Sequence, residues 1–171
     1  MTLQEIEAAI VARIAARLPD LHVEAFPDKP ESFRMHHPAG AVLVAFGRES
    51  HAKPRALDLV VQERRIEWDL SILTRNLRSH VGAYDVLDAL RLALTGWRAE
   101  GCGKMRPVRA EFVDQKQGVW TYVLTVEHAT MTVEVADEED ASAPPTLKRI
   151  DTLSGFGSSR TPRPGCGGEE P

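Results

Sequence analysis

Residues 60–72, VVQERRIEWDLSI, alternate between apolar and charged positions. Because successive side chains of an extended chain point to opposite faces, this alternation predicts a strand with one apolar and one charged face. An alternative is a helix, because Ile66, Leu70, Leu73 and Leu77 also have the spacing of an apolar helical stripe. That stripe leaves Trp68 off its centre, so we prefer a strand from about residue 57 to residue 74. The apolar face holds Ile66, Trp68, Leu70 and Ile72; the polar face holds Glu63, Arg65, Glu67, Asp69 and Ser71.

Two further periodic stretches predict helices. Thr2 and Glu5 have the spacing of a capping box, and an apolar stripe behind them predicts a helix that ends near Pro19. Ser79 is the expected cap of a second helix, which ends between residues 96 and 103. The apolar positions are Leu3, Ile6, Ile10, Ile14 and Leu18 in the first stripe, and Ala83, Leu87, Leu90, Leu94 and Trp97 in the second.

The remaining apolar runs predict strands at 21–26, 41–46, 106–114 and 118–135, with loops at 27–40 and 47–56. The run at 41–46 is almost wholly apolar, as expected for a strand buried on both faces. Loop 114–118 has the length of a hairpin connection. Together these elements predict an α+β domain, in which long strands of a mainly antiparallel or mixed sheet pack against two helices.

The composition changes after residue 135. Residues 136–171 hold seven acids, four bases, five of the eleven prolines and five of the twelve glycines. Such a segment buries too little apolar surface to offset its ordering entropy. We therefore expect an α+β domain at 1–135 and an extended, largely disordered tail at 136–171, in which 147–153, LKRIDTL, is a candidate docking strand for a partner.

Charge and composition exclude several classes of protein. A net charge of -4 is too mild to indicate nucleic-acid binding by bulk attraction. Cys102 and Cys166 form no CxxC pair, which argues against a disulfide framework and favours a reducing compartment. No apolar run approaches the roughly 20 residues of a membrane span, and charges interrupt the first apolar helix, so we expect neither a signal peptide nor a membrane partner.

Glu67 and Asp69 lie two residues apart on one strand face, as paired carboxylates for acid–base work or magnesium binding do. Such chemistry also needs a pocket and a third ligand or a nucleophile. Arg65 offers the alternative of cross-strand ion pairing. We favour a solvated or partner-facing surface and keep, as a remote alternative, a small metal-dependent enzyme that uses Glu67, Asp69 and a histidine.

Other candidate motifs are weak. His36 and His37 are adjacent and point in different directions, without the spacing of a metal motif. A basic group around the second helix lacks the interleaved aromatic residues of a nucleic-acid site and fits a solvated helix edge. No phosphate-binding loop or nucleophile elbow is present. We therefore predict no catalytic residue, cofactor or metal; the basic group consists of Arg75, Arg78, Arg91 and Arg98.

Three segments carry a family resemblance: 37–47 (HPAGAVLVAFG), 60–78 (VVQERRIEWDLSILTRNLR) and 82–97 (GAYDVLDALRLALTGW). In order and spacing they resemble small tail proteins of Mu-like phages and prophages, the tail terminators or tail-completion proteins of contractile tails. The resemblance covers residues 1 to about 135, with a weaker echo in LKRID. Its most specific positions are Gly40, Gln62 and the run Gly82, Ala83, Tyr84.

The resemblance implies a structural protein that forms a ring, typically a hexamer, at the head-proximal end of the tail tube. Such a ring halts tube polymerisation, contacts the tube and the neck or head-completion protein, and lets DNA pass through its centre. Its location would be the virion tail, and the host cytoplasm during assembly. The long strands would join an intersubunit sheet or stack on the tube, so that Glu63, Arg65, Glu67 and Asp69 line an interface or the lumen. Another neck or baseplate-proximal adaptor is the alternative.

Overall fold

The computed structural model describes residues 2–29, 33, 37–54, 59–78 and 82–135. The chain divides into two units, Met1–Val135 and Ala136–Pro171. The predictions for the tail at 136–171 and its docking segment at 147–153 lie outside the described residues. In chain order the elements are α1 (Leu3–Arg17), β1 (His22–Ala25), β2 (Ala41–His51), β3 (Val61–Thr74), α2 (Ala83–Leu94), β4 (Arg106–Lys116) and β5 (Val119–Val133).

The five strands form one sheet in the order β1-β2-β3-β5-β4. β1 runs parallel to β2, and every other neighbouring pair is antiparallel. The two helices pack on one face of this sheet, where their apolar stripes meet Ile66, Trp68, Leu70 and Ile72 in a single buried core. The predicted α+β class, with long strands of a mainly antiparallel, mixed sheet against two helices, is confirmed.

The long charged strand lies in the middle of the sheet. β3 pairs with β2 on one side and, from Val61 to Thr74, with β5 on the other. The resemblance implies that the long strands join an intersubunit sheet or stack on the tube. The strand β3 cannot extend such a sheet through its backbone, because both of its sides are used within the chain. Among the described residues, the edge strands of the sheet are β1 and β4.

A side-chain capping motif explains where α1 begins, whereas the start of α2 has no such motif. The capping box is present: the Thr2 hydroxyl accepts from the Glu5 amide, and the Glu5 carboxylate accepts from the Thr2 amide. The N-cap of α2 is Gly82, which makes no side-chain capping hydrogen bond. The predicted cap, Ser79, lies outside the described residues.

β2 and the last hairpin differ from the predictions in their ends. β2 continues through Gly47 to His51, where a loop was predicted, because the β3 register carries on opposite Arg48 and Ser50. A β-bulge at Gly47 shifts the register at that point. The β4–β5 turn is a two-residue turn at Gln117 and Gly118, whose φ angles of 50° and 78° are those of the type I′ turns that favour hairpins.

Candidate assembly surface

All four predicted surface residues lie on the sheet face opposite the helices. Their neighbours from β2, β4 and β5 complete a cluster of four carboxylates and four guanidinium groups, which we call the charged face. It comprises Arg48, Glu63, Arg65, Glu67, Asp69, Arg106, Arg109 and Glu127.

Glu67 sits near the centre of the charged face with only 8% of its surface exposed. Its Oε1 accepts a hydrogen bond from Arg48 Nη2 at 2.7 Å, and its Oε2 lies 3.8 Å from Arg109 Nη1. The hydrogen bond from Arg48 lowers the pKa of the Glu67 carboxyl below its usual value, while desolvation opposes this shift. Glu67 is therefore a buried, paired carboxylate rather than the solvated side chain that the alternation predicts.

Glu127 of β5 lies directly opposite Glu67 in the sheet register. Two like charges directly opposite each other on neighbouring strands are destabilising. Each carboxylate is compensated separately. Glu127 Oε1 lies 2.6 Å from Arg106 Nη2 and 3.7 Å from Arg65 Nη1, and the Arg65 Nε also donates to Glu63 at 2.7 Å.

The carboxylate of Asp69, the second member of the predicted pair, accepts a hydrogen bond from a hydroxyl group. The Oγ1 of fully buried Thr125 donates to Asp69 Oδ1 at 2.6 Å. Glu67 and Asp69 are thus each committed to partners from neighbouring strands. Within the described part of the chain, no group of three or more His, Cys, Asp or Glu side chains is arranged to hold a metal ion.

Two β-bulges change the side-chain alternation of β2 and β4, so that Arg48, Arg106 and Arg109 point to the charged face. Phe46 faces the helices, where its ring meets Trp68 edge-on at 6.1 Å between centroids. Simple alternation would place Arg48 on that same side, but the bulge at Gly47 turns it to the charged face. A second bulge, between Pro107 and Arg109, likewise brings Arg106 and Arg109 to one face. These bulges determine the composition of the charged face.

The other candidate residues are not gathered into a site. His37 is half-buried and His36 lies outside the described residues; Cys102 is a free, half-buried cysteine whose pKa is raised by burial. In the basic group around α2, Arg91 pairs with Asp88 at 2.5 Å and Arg78 stacks over the Tyr84 ring at 6.0 Å. No helix in the described ranges is long and apolar enough to cross a membrane.

Sequence reasoning missed the exposed edge strand. Along β4 every residue except Asp114 is exposed, including the apolar side chains Val108, Phe112 and Val113. Phe112 also packs against Trp120 and Tyr122, with centroid distances of 6.0 and 5.4 Å. An exposed edge with apolar side chains is a template for pairing with another chain.

The fold and surface thus define a small α+β protein with one sheet face of paired charges and, in the part of the chain that the structure describes, two edge strands, β1 and β4. A family model described as "Gp37 protein" matches residues 10–151, which is most of the chain. The chain belongs to the Gp37 family, a family of phage proteins.

Two further comparisons complete the findings. A chain in a structure titled "Virion of native gene transfer agent (GTA) particle" is similar, with 18% sequence identity and a TM-score of 0.45. The match covers 77% of this chain and 96% of that chain. At this level of similarity the comparison concerns the fold and carries no argument about function. A search of the curated proteins finds no significant match.

Proposed function

We propose that this chain is a non-enzymatic structural protein of a phage or prophage contractile tail. It acts as the tail terminator, a homohexameric ring at the head-proximal end of the tail tube that stops tube polymerisation and joins the neck. Its partners are other copies of itself, the tail tube protein, and the sheath and head-completion or neck proteins. It works in the virion tail and assembles in the host cytoplasm.

The charged face carries this proposal. The four carboxylates and four guanidinium groups of the charged face balance one another in formal charge, and Glu67 at its centre pairs with Arg48 and Arg109. Attraction of cationic groups to phosphate is strong and falls with salt. A balanced face placed in the lumen, or against the tube, lets DNA pass without specific binding.

The same geometry disfavours the enzyme hypothesis. A carboxylate pair used for acid–base chemistry must be free to bind a substrate or a metal, whereas Glu67 binds Arg48 and Asp69 binds Thr125. Family membership points in the same direction, because it places the chain among phage proteins.

Polymerisation of the cognate tail tube protein tests the proposal. Tube protein is polymerised with and without this chain, and tube lengths and the position of bound protein are measured by negative-stain electron microscopy with a labelled copy. The terminator proposal expects shorter tubes with label at one end only. Tubes of unchanged length would contradict it, and label at the baseplate-proximal end would favour the adaptor alternative.

A further inference from the structure

The two free edges of the sheet match each other. We propose that β4 of one copy pairs with β1 of the next copy, antiparallel, with Ala110 opposite Val23, so that one sheet continues from subunit to subunit. This inference rests on the proposed ring, since it names the contact that would close it. The contact is heterologous, one patch meeting a different patch, as a ring requires.

Strand direction permits this pairing. β1 is parallel to β2, and the antiparallel steps through β3 and β5 leave β4 running opposite to β1. Copies related by rotation about an axis roughly along the strands keep their strand directions. The β4 edge of one copy then meets the β1 edge of its neighbour in antiparallel orientation.

The free backbone groups of β1 belong to Val23 and Ala25. The amide of His22 donates to the Gly40 carbonyl at 3.2 Å, and the amide of Phe26 donates to the Val44 carbonyl at 2.7 Å. Even-numbered residues therefore face β2. In a parallel strand the alternate residues direct both their N–H and C=O groups to the other side, where no strand of the described residues pairs with β1.

The free backbone groups of β4 belong to Ala110 and Phe112. The amide of Glu134 donates to the Val60 carbonyl at 2.8 Å, so even-numbered residues of β5 face β3 and odd-numbered residues face β4. The amide of Gly103 donates to the carbonyl of Ala129 on that same odd side. The backbone N–H and C=O groups of Arg109 and Glu111 point toward odd-numbered residues of β5 and form hydrogen bonds within the chain, so they are not available to a second copy.

The faces and charges then agree at the register in which Val23 lies opposite Ala110. Both of these side chains are on the helix side of the sheet, since they align with Val42 and Leu124. On the other side, Glu24 falls opposite Arg109, and His22 falls opposite Glu111. A shift of two residues in one direction would oppose Glu24 to Glu111, and in the other direction to Pro107.

Within one copy, each edge strand already carries one acidic side chain in contact with one basic side chain. Glu24 lies 3.2 Å from His22, and Arg109 lies 2.5 Å from Glu111. All four side chains are about half exposed. Antiparallel docking places Glu24 of one copy opposite Arg109 of the next, and His22 opposite Glu111, so that each acid gains a second basic residue as a neighbour.

The length of β4 available for pairing is limited by its own irregularities. Bulges lie between Pro107 and Arg109 and between Phe112 and Asp114, which leaves residues 109–112 as the regular window. Pro107 offers no backbone N–H. At the proposed register this window lies opposite residues 21–24, of which residues 22–24 belong to β1. Bulges and proline are the devices by which an edge restricts pairing, so the site is selective for a short strand.

Disulfide trapping tests the register. In a background with Cys102→Ser and Cys166→Ser, the paired variant carries Glu24→Cys and Arg109→Cys, which are directly opposite and non-hydrogen-bonded in the proposed sheet. The control carries Glu24→Cys and Glu111→Cys, two residues out of register. Bonding within one copy is excluded, because β1 and β4 are separated by four strand spacings, about 19 Å, and a disulfide needs Cα atoms within about 7 Å.

Under mild oxidation the paired variant is expected to give a ladder of covalent multimers on a non-reducing gel. The yield should exceed that of the out-of-register control on the order of tenfold, because only the paired cysteines lie within disulfide distance. A mixture of the single variants Arg109→Cys and Glu111→Cys tests the rival in which β4 pairs with itself. Covalent dimers in that mixture would overturn the proposal.

Light scattering of the reduced samples separates the two proposals. A ring that forms but shows no cross-link between positions 24 and 109 overturns the edge pairing and leaves the terminator proposal standing. A parent protein that stays monomeric at every concentration contradicts the ring itself, and the pairing with it. A ring with the in-register cross-link supports both.

Discussion

Glu67 and Glu127 lie directly opposite each other on the two central strands, and each is held by its own pair of arginines. The sheet thus places two like charges at one of the positions where neighbouring side chains are closest. It tolerates them only because Arg48 and Arg109 surround one carboxylate while Arg106 and Arg65 surround the other. The charged face is consequently a connected network, in which loss of an arginine matters more than loss of an acid.

Arg48→Met is expected to lower stability, and Glu67→Gln to change it little. The first substitution leaves Glu67 facing Glu127 with only the more distant Arg109, whereas the second removes the like-charge contact. Because the Arg48 side chain is 71% exposed, the loss is modest. Urea unfolding of both variants measures the difference. Equal losses in the two variants would contradict the network.

The hydrogen bond between Arg48 and Glu67 also predicts how stability depends on pH. The hydrogen bond from Arg48 holds the pKa of Glu67 below its usual value of 4.5. Its contribution to stability is therefore fully present above the unfolded-state pKa and is lost as the pH falls through the folded-state value. We expect the melting temperature of Arg48→Met to fall less steeply than that of the wild type below about pH 4.5. Calorimetry between neutral and acidic pH checks this, with Arg17→Met, at an exposed position of α1, as the matched control.

His128 is the second pH-sensitive position. It is 2% exposed, and its Nε2 accepts a hydrogen bond from Trp68 Nε1 at 3.2 Å. Burial lowers the pKa of His128 below 6.5. The folded protein should therefore be most stable above that value and lose stability as the pH falls through and below it, because the unfolded chain binds the proton more readily.

Two substitutions at position 128 separate the hydrogen bond from the titration. His128→Gln keeps an acceptor for the Trp68 N–H and should abolish the loss of stability on moving below pH 6.5. His128→Leu leaves that N–H unpaired and should cost about 1–3 kcal/mol near neutral pH. Thermal melts across this pH range test both. An unchanged pH profile in His128→Gln would rule out His128 as the titrating group.

Gly40 is required by the start of β2. Its φ is +128°, and a Cβ there would lie 2.6 Å from the Leu73 carbonyl oxygen. Gly40→Ala should therefore destabilise the domain by about 2–3 kcal/mol. Gly101→Ala is the control: φ is +67° and no atom lies within 4 Å of the added Cβ, so only the backbone cost of about 1 kcal/mol remains. Similar losses at the two positions would argue against the close approach.

The balanced charge of the charged face predicts weak attraction to DNA. The wild-type protein should pass through a DNA-cellulose column at about 0.15 M salt. The double variant Glu63→Gln, Glu111→Gln removes one carboxylate of the charged face and the neighbouring acid that pairs with its Arg109. It leaves the arginines in excess and should be retained in a salt-dependent manner. The matched control is Glu5→Gln, Glu7→Gln on α1, which changes net charge equally. Retention of both variants to the same extent would indicate bulk charge rather than the charged face.

The alternation along residues 60–72 is local information, and it predicted both the strand and its two faces. The partners of Glu67 were not predictable in the same way. Arg48 reaches it only because a bulge at Gly47 reverses the alternation of β2, and an added Cβ at Gly47 would lie 3.0 Å from Asp69 Oδ2. Register and bulges depend on long-range pairing, which a single sequence does not display.

The position of β3 illustrates the same limit. Strand length does not reveal strand order, and the long strand β3 is paired on both sides. Since Glu67 is 8% exposed among arginines, charge reversal there is expected to destabilise the monomer as well as any assembly. The exposed edge residue Glu24, which lies outside the charged face, is a cleaner probe of assembly.

The most direct test of the ring is the solution mass of the purified protein, measured by light scattering across a wide concentration range. The account predicts a discrete hexamer that persists on dilution and is weakened by Glu24→Arg more than by the nearby control Asp20→Arg. A monomer at every concentration would contradict the self-assembling ring.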